Sequence, residues 1–365
     1  MDISKKYFIN GPNNIIRLEN GDKIMYIIGD IHLELDNQNE CKIDKEYDSL
    51  NIDQFLVKFM KSTNENFDLF VENQLNWVEY YKNNNFVDKY LLEIRKLFGK
   101  NTVFINNKIQ KSKVFPNFRF HYFDFRFDII EFTKIWELCD RIPPFSFIET
   151  KIDEVIEILN LIKVEIINFK NKLNKKSSDK FISKIFNKYN DEIIHNKIVD
   201  ILDLYFNNKI YNLLVDNIEE LIEYIYENYD LINNKYLSFD LKLNIKIEIE
   251  KKIEFIKKKF FYLFELTDIY LIKRFLDKKY IKKSIVYTGM AHLSSITYFL
   301  VKYFDFKITH LYYLDESIKN INNFEKIIKA DTNNYIYINE LLLNKNKNDE
   351  INQCINLLNF PNNFS

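Results

Sequence analysis

The stretch Ser284 to Val301, SIVYTGMAHLSSITYFLV, constrains the fold of this chain more than any other. An apolar, β-branched run (Ile285, Val286, Tyr287) meets Gly289 and His292, then continues with helically spaced Leu293, Ile296, Phe299 and Leu300. That order reads as strand, turn, helix, with a histidine at the turn. The same grammar occurs near the start, where Ile24-Met25-Tyr26-Ile27-Ile28 runs into Gly29-Asp30-Ile31-His32. Two apolar strands that each end in Gly-x-x-His point to an open α/β sheet, in which ligands bind outside the carboxyl ends of the strands. Both histidines then face one crevice. The later run carries no charge over about the length of a membrane span, but Gly289, His292, Ser294, Ser295 and Thr297 make its middle too polar for lipid. It reads as a buried β-α unit.

The remaining chain supplies further strands of the same kind. Asn14 to Leu18, the turn Glu19-Asn20-Gly21-Asp22 and Lys23 to Ile28 read as a hairpin, because Asn-Gly favours the positive φ angles of a tight turn. A polar loop, Asn37 to Asp48, is long enough to lie over a pocket. Asp53 caps an amphipathic helix, and Phe67 to Val71 forms a strand ending at Glu72. A helix from about Phe86 to Phe98 stops at Gly99, and Arg119 to Phe125 is a strand ending at Asp124 and Arg126. From Phe147 to Leu276 the apolar residues keep a helical period, as in Val155, Ile158, Leu159, Ile162 and Ile166. After the second motif come a strand at Ile308 to Leu314, an edge strand at Tyr335 to Ile338, and a polar tail that frays. The fold class is therefore α/β, with a mainly parallel central sheet flanked by helices and a large all-helical insertion. The division is 1–146 and 277–343 for the core, 147–276 for the insertion and 344–365 for the tail.

Composition narrows the functions. With 52 basic against 53 acidic side chains and a net charge of −1, no global field recruits nucleic acid or an anionic membrane. Cys41, Cys139 and Cys354 are far apart, without metal-knuckle spacing, and fit free thiols in a reducing compartment. The segment MDISKKYFIN lacks the apolar core of a signal peptide, and nothing reads as a transmembrane anchor, so a soluble, cytoplasmic protein is expected. There is no Gly-x-Ser-x-Gly elbow and no phosphate-binding glycine loop. The excess of Asn, Lys, Ile, Phe and Tyr has the look of an AT-rich genome, as in large DNA viruses and some protozoa.

The strand ends collect Asp30 and His32, Glu72, Asp124 and Arg126, and His292. Two imidazoles and a carboxylate, His32, His292 and Glu72, are a reasonable ligand set for a divalent ion such as Mn, Co or Zn, whose bound water becomes a nucleophile. Without a metal, His32 or Glu72 serves as general base on a water. Arg126 is suited to a carboxylate, a phosphate or a developing oxyanion. Asp30, Asp124 and Asp268 are placed as substrate contacts. Structural alternatives stand beside these roles: Glu72 as a cap of the following helix, Arg126 as a partner of Asp124 or Asp128, Asp30 as a turn-shaping residue, Asp268 in a helix-surface salt bridge, and His121 as a packed core histidine.

Gly29-Asp30-Ile31-His32, the strand-end Glu72, Arg126 after the third strand and Gly289-Met290-Ala291-His292 together resemble the erythromycin esterase/ChaN-like, TraB and TIKI superfamily. The resemblance covers short motifs between Met25 and Leu314. It implies hydrolysis, as a metal-dependent protease or an esterase acting on a peptide or small-molecule substrate, with His32 and His292 as the paired histidines, Glu72 as the acidic partner and Arg126 as the arginine. It also leaves room for a haem-like ligand, as in ChaN, or for a catalytically silent interaction protein that keeps the fold.

Overall fold

The computed structural model describes residues 7–32, 41, 48–73, 90–102, 104–105, 108–109, 112–125, 129–142, 152–174, 180–187, 189–234, 236, 238–260, 263, 265–330, 335–345, 351–361 and 364. The chain divides into an α/β unit, Met1–Asp124 with Leu271–Ser365, and a helical unit, Phe125–Tyr270.

In the α/β unit, β1 (Tyr7–Asn10) precedes a hairpin of β2 (Asn14–Asn20) and β3 (Lys23–Asp30), paired from Asn14↔Gly29 to Asn20↔Lys23. Gly21 at its turn has φ +59°, a left-handed conformation that glycine adopts without steric cost. Strand β4 (Asp48–Asn51) leads directly into α1 (Ile52–Ser62). The cap is Asn51 rather than Asp53, and the Asn51 backbone N–H donates to Gln54 Oε1 at 3.3 Å. Then follow β5 (Phe67–Val71), α2 (Tyr90–Asn101), which runs two residues past Gly99, the short pair β6 (Phe104–Ile105) and β7 (Lys108–Ile109), and β8 (Phe118–Tyr122).

The helical unit holds α3 (Ile130–Arg141), α4 (Ile152–Asn174), α5 (Lys180–Phe186), α6 (Glu192–Ile201), a π-helical stretch Leu202–Ile210, α7 (Tyr211–Glu227), α8 (Tyr229–Asn233) and α9 (Phe239–Phe260). The periodic residues of α4, from Val155 to Leu173, are buried, as the spacing requires. The unit begins at Phe125, ahead of residue 147, because α3 packs on α4. Phe132 meets Phe169 at 4.7 Å, Lys134 pairs with Glu165 at 3.2 Å, and Lys172 pairs with Glu131.

Helix α10 (Glu265–Asp277) crosses back into the α/β unit, followed by β9 (Lys283–Gly289), α11 (Met290–Tyr303), β10 (Lys307–Leu311), α12 (Ile321–Lys329), α13 (Tyr335–Leu342) and β11 (Cys354–Asn356). The main sheet has the order β10-β2-β3-β9-β5-β8, and β3, β9, β5 and β8 are parallel neighbours. Met25, Tyr26, Ile27 and Ile28 of β3 are all fully buried, which accounts for the unbroken apolar run: this strand is covered on both faces. One face carries a core of Phe55, Leu56 and Phe59 from α1, Ile94 and Phe98 from α2, and Leu69, Phe118 and Tyr287 from the strands. Helix α11 is buried nearly all round, through Leu293, Ile296, Tyr298, Phe299 and Leu300, so its uniform apolarity is that of a helix inside a core. No helix among the described residues is long and apolar enough to cross a membrane.

Three expectations are overturned. Residues 335–338 are helical, not an edge strand, because Ile338, Leu341 and Leu342 are buried at helical spacing in α13. The end of the chain is structured: β11 pairs antiparallel with β1, forming with β4 a three-stranded sheet of order β11-β1-β4. Cys41 and Cys354 are not free thiols but a disulfide, and only Cys139, buried in the helical unit, is free.

Candidate active site at the strand ends

The register of the sheet assembles the site. Asp30 of β3 lies opposite Gly289 of β9, and Val71 of β5 lies opposite Tyr287. The two Gly-x-x-His units and Glu72 therefore leave the sheet side by side. The Glu72 backbone N–H extends the pairing by donating to Tyr287 O at 3.1 Å.

Glu72 is buried at the N-terminus of α11, where the helix dipole favours a carboxylate. Its Oε2 accepts the Gly289 N–H at 2.8 Å and the Thr288 hydroxyl at 3.1 Å. Thus it caps a helix more than two hundred residues later in the chain. His32 Nε2 lies 3.5 Å from Glu72 Oε2, and His292 Nε2 lies 3.8 Å from Oε1. Both separations are those of ion pairs, wider than hydrogen bonds. His292 is nearly buried, with Phe123 edge-on to its ring at 5.9 Å.

His32 has φ +61°, uncommon outside glycine, and the sequence supplies what holds it there. Its backbone N–H donates to Asp30 Oδ1 at 2.9 Å, while its Nδ1 faces Asp30 Oδ2 at 3.7 Å. Burial pulls the imidazole pKa down, but the Asp30 and Glu72 carboxylates on either side outweigh it and lift the value to about 9. His32 is therefore an imidazolium at neutral pH. About one third of its side chain remains exposed, which makes it the solvent-facing member of the set.

Both motif glycines have a steric reason. A Cβ on Gly289 would lie 2.8 Å from His32 Nε2, so only glycine leaves room for the ring. A Cβ on Gly29 would meet Met290 Sδ at 2.5 Å and Leu293 Cδ1 at 2.7 Å, where α11 presses on β3.

The other candidates separate. Asp30 is buried and positions His32: its oxygens also accept the Tyr287 hydroxyl at 2.8 Å and the Gln353 amide at 2.9 Å. Burial and the Asp30 charge hold the Tyr287 phenol well above its usual pKa, so it remains a donor. Asp124 is buried just beyond β8, its backbone N–H donating to Asn73 O at 3.3 Å. Asp268 is fully buried on α10 within the helical unit. Arg126 and the 37–48 loop, apart from Cys41 and Asp48, lie outside the described residues. His121 is a packed core histidine: Phe70 stacks on it at 4.6 Å, its Nε2 meets Asp68 Oδ1 at 2.6 Å, and Arg274 Nε donates to its Nδ1 at 3.2 Å. Burial and the Arg274 charge hold it neutral, with a pKa of about 4 despite Asp68.

As a metal centre the residues do not fit as they stand. The two imidazoles address opposite oxygens of Glu72, and Oε2 already accepts two other donors. Among the described residues no group of three His, Cys, Asp or Glu side chains is arranged to hold a metal ion. What the set offers directly is acid–base chemistry, with a carboxylate and the buried His292 ring beside a one-third-exposed imidazolium.

Sequence comparison gives the chain a lineage. The profile of the "Family of unknown function (DUF5847)" matches residues 7–142 and 129–365. The chain belongs to that family. Relatives spanning nearly the full length come from Acanthamoeba polyphaga mimivirus, a large DNA virus. "Uncharacterized protein R160" is 29% identical, the alignment covering 98% of this chain and 97% of the relative. "Uncharacterized protein R161" is 27% identical, covering 98% of each. No solved structure matches the chain.

Proposed function

We propose that this protein is a hydrolase of ester or peptide bonds, with Glu72 and His292 activating a water and His32 acting as its electrostatic and acid partner. One observation carries the reading: His32 and His292 direct their Nε2 atoms to the two oxygens of one buried carboxylate, at the ends of three adjacent parallel strands. A water beside Glu72 Oε1 and His292 Nε2 has a general base at hand. The His32 imidazolium supplies positive charge for the developing oxyanion and a proton for the leaving group. The resemblance of the paired Gly-x-x-His motifs to the erythromycin esterase/ChaN-like, TraB and TIKI superfamily supports the same chemistry.

The test is a screen of ester and peptide substrates with the purified protein, alongside Glu72→Gln and His292→Ala, and elemental analysis of wild type and the histidine variants. Turnover is expected to fall about 10²- to 10⁴-fold in either variant. Turnover that both variants retain would refute the assignment. A stoichiometric divalent ion that is lost with His32→Ala and with His292→Ala would replace the metal-free route by a metal-assisted one.

A further inference from the structure

Gln353 sits where sequence separation gives no reason to look for a site residue. It is buried, and its side-chain Nε2 donates to Asp30 Oδ1 at 2.9 Å, the same oxygen that accepts the His32 backbone N–H at 2.9 Å. Its side-chain Oε1 has no hydrogen-bond partner among the described residues, so the amide is not placed there to satisfy both its ends. The backbone of Gln353 is tied independently, its carbonyl accepting the Gly11 N–H at 2.9 Å. The next residue, Cys354, is bonded to Cys41, which follows His32 by nine positions. The Cys41 N–H donates to Asn10 Oδ1 at 2.9 Å, and Asn10 is the register partner of Cys354. One covalent bridge thus ties Cys41 to the segment that steadies the histidine's carboxylate. Both cysteines are half-buried.

We propose that Gln353 is a positioning residue for His32, delivered to Asp30 by the Cys41–Cys354 bridge, so that assembly of the site depends on thiol redox state. The inference rests on the reading of His32 as a working residue. Reduction needs a dithiol donor: its two thiols supply two electrons and two protons, the S–S bond opens to two cysteine thiols, and the donor closes to its own disulfide. With the bridge open, β11 keeps its pairing with β1, its buried Ile355 and the Asn13–Asn352 bond, but the covalent tie beside Gln353 is gone, and on this proposal the Asp30 carboxylate loses one of the two side chains that fix its plane. The His32 N–H then shares an acceptor that rotates.

Amide hydrogen exchange at His32, with the ring resonances of His32 at fixed pH, tests this in the full chain. Oxidised wild type is compared with dithiothreitol-reduced wild type, Cys354→Ser and Gln353→Ala, thiols being counted in each. The expected result is exchange at His32 faster by about tenfold or more, and shifted ring resonances, in all three perturbed forms. The amides of Ile27 and Ile28, inside β3, should stay protected. Gln353→Ala keeps the disulfide and so isolates the side chain from chain stability. An unchanged His32 in Gln353→Ala overturns the proposal, even where reduction alone perturbs it. Loss of protection throughout β3 also overturns it, because the bridge is then only a stability staple. A coupled His32 response in a protein without hydrolytic activity would refute the hydrolase reading and leave the positioning role standing. Activity that depends on Glu72 and His292 but not on Gln353 would do the reverse.

Discussion

The charge of His32 should be visible as a pH-dependent contribution to stability. Its folded-state pKa is raised from 6.5 to about 9, so the folded protein holds the proton more tightly than the unfolded chain. The stabilisation is fully present below pH 6.5 and is lost as pH rises through about 9. A shift of that size corresponds to about 3 kcal/mol in a dry site. With 32% of the side chain exposed, solvent screening leaves about 1–2 kcal/mol. The comparison variant is His32→Asn, since asparagine tolerates the φ of +61° that most residues resist. Urea unfolding of both proteins between pH 6 and pH 10 gives the difference directly, because other titrating groups cancel. Wild type should exceed the variant by about 1–2 kcal/mol at pH 6, and the gap should close by pH 10. A gap that is constant or widens with pH would refute the sandwich of His32 between Asp30 and Glu72.

Three further substitutions probe the packing of the sheet and its site. Gly289→Ala places a Cβ 2.8 Å from His32 Nε2 and should displace the ring, altering its resonances and abolishing turnover at modest thermal cost, whereas Gly29→Ala overpacks α11 and should cost about 1–3 kcal/mol by thermal denaturation. Asp68→Ala removes the partner of the one-third-exposed Arg119 and of the neutral His121 from a fully buried position, and a loss of about 1–3 kcal/mol in urea unfolding is expected.

What the sequence made legible was local. Runs such as Met25 to Ile28 and Ile285 to Tyr287 announced strands buried on both faces, and the glycine after each marked its exit. Because β3 and β9 are neighbours in register, the two motif histidines had to emerge together, and Glu72 joined them through β5. The rest of the site was not legible because its signals are long-range or disguised. Tyr287 reads as one more apolar strand residue, yet its hydroxyl is what binds Asp30. Gln353 and Cys354 lie in a polar stretch with no periodicity, and spacing says nothing about which cysteine pairs with which. Tyr335 to Ile338 alternates aromatic and β-branched residues like a strand, but burial at Ile338, Leu341 and Leu342 lets packing override that propensity.

The position of β9 has a consequence for how the chain comes into being. Ile24 pairs with Lys283 and Asp68 with Ser284, so the strand that fills the middle of the sheet is made long after the strands it separates. Closing a loop of that length costs about 5 kcal/mol in chain entropy before any contact rewards it. Until residue 289 has left the ribosome, β3 and β5 each present an open edge to whatever strand is nearby. A nascent chain of this kind must spend its synthesis with two half-sheets exposed, while residues 125–270 of the helical unit are made before the strand that joins them. This late-made strand is thus both the keystone of the sheet and the lead-in to His292, so a chain cut short of it has neither.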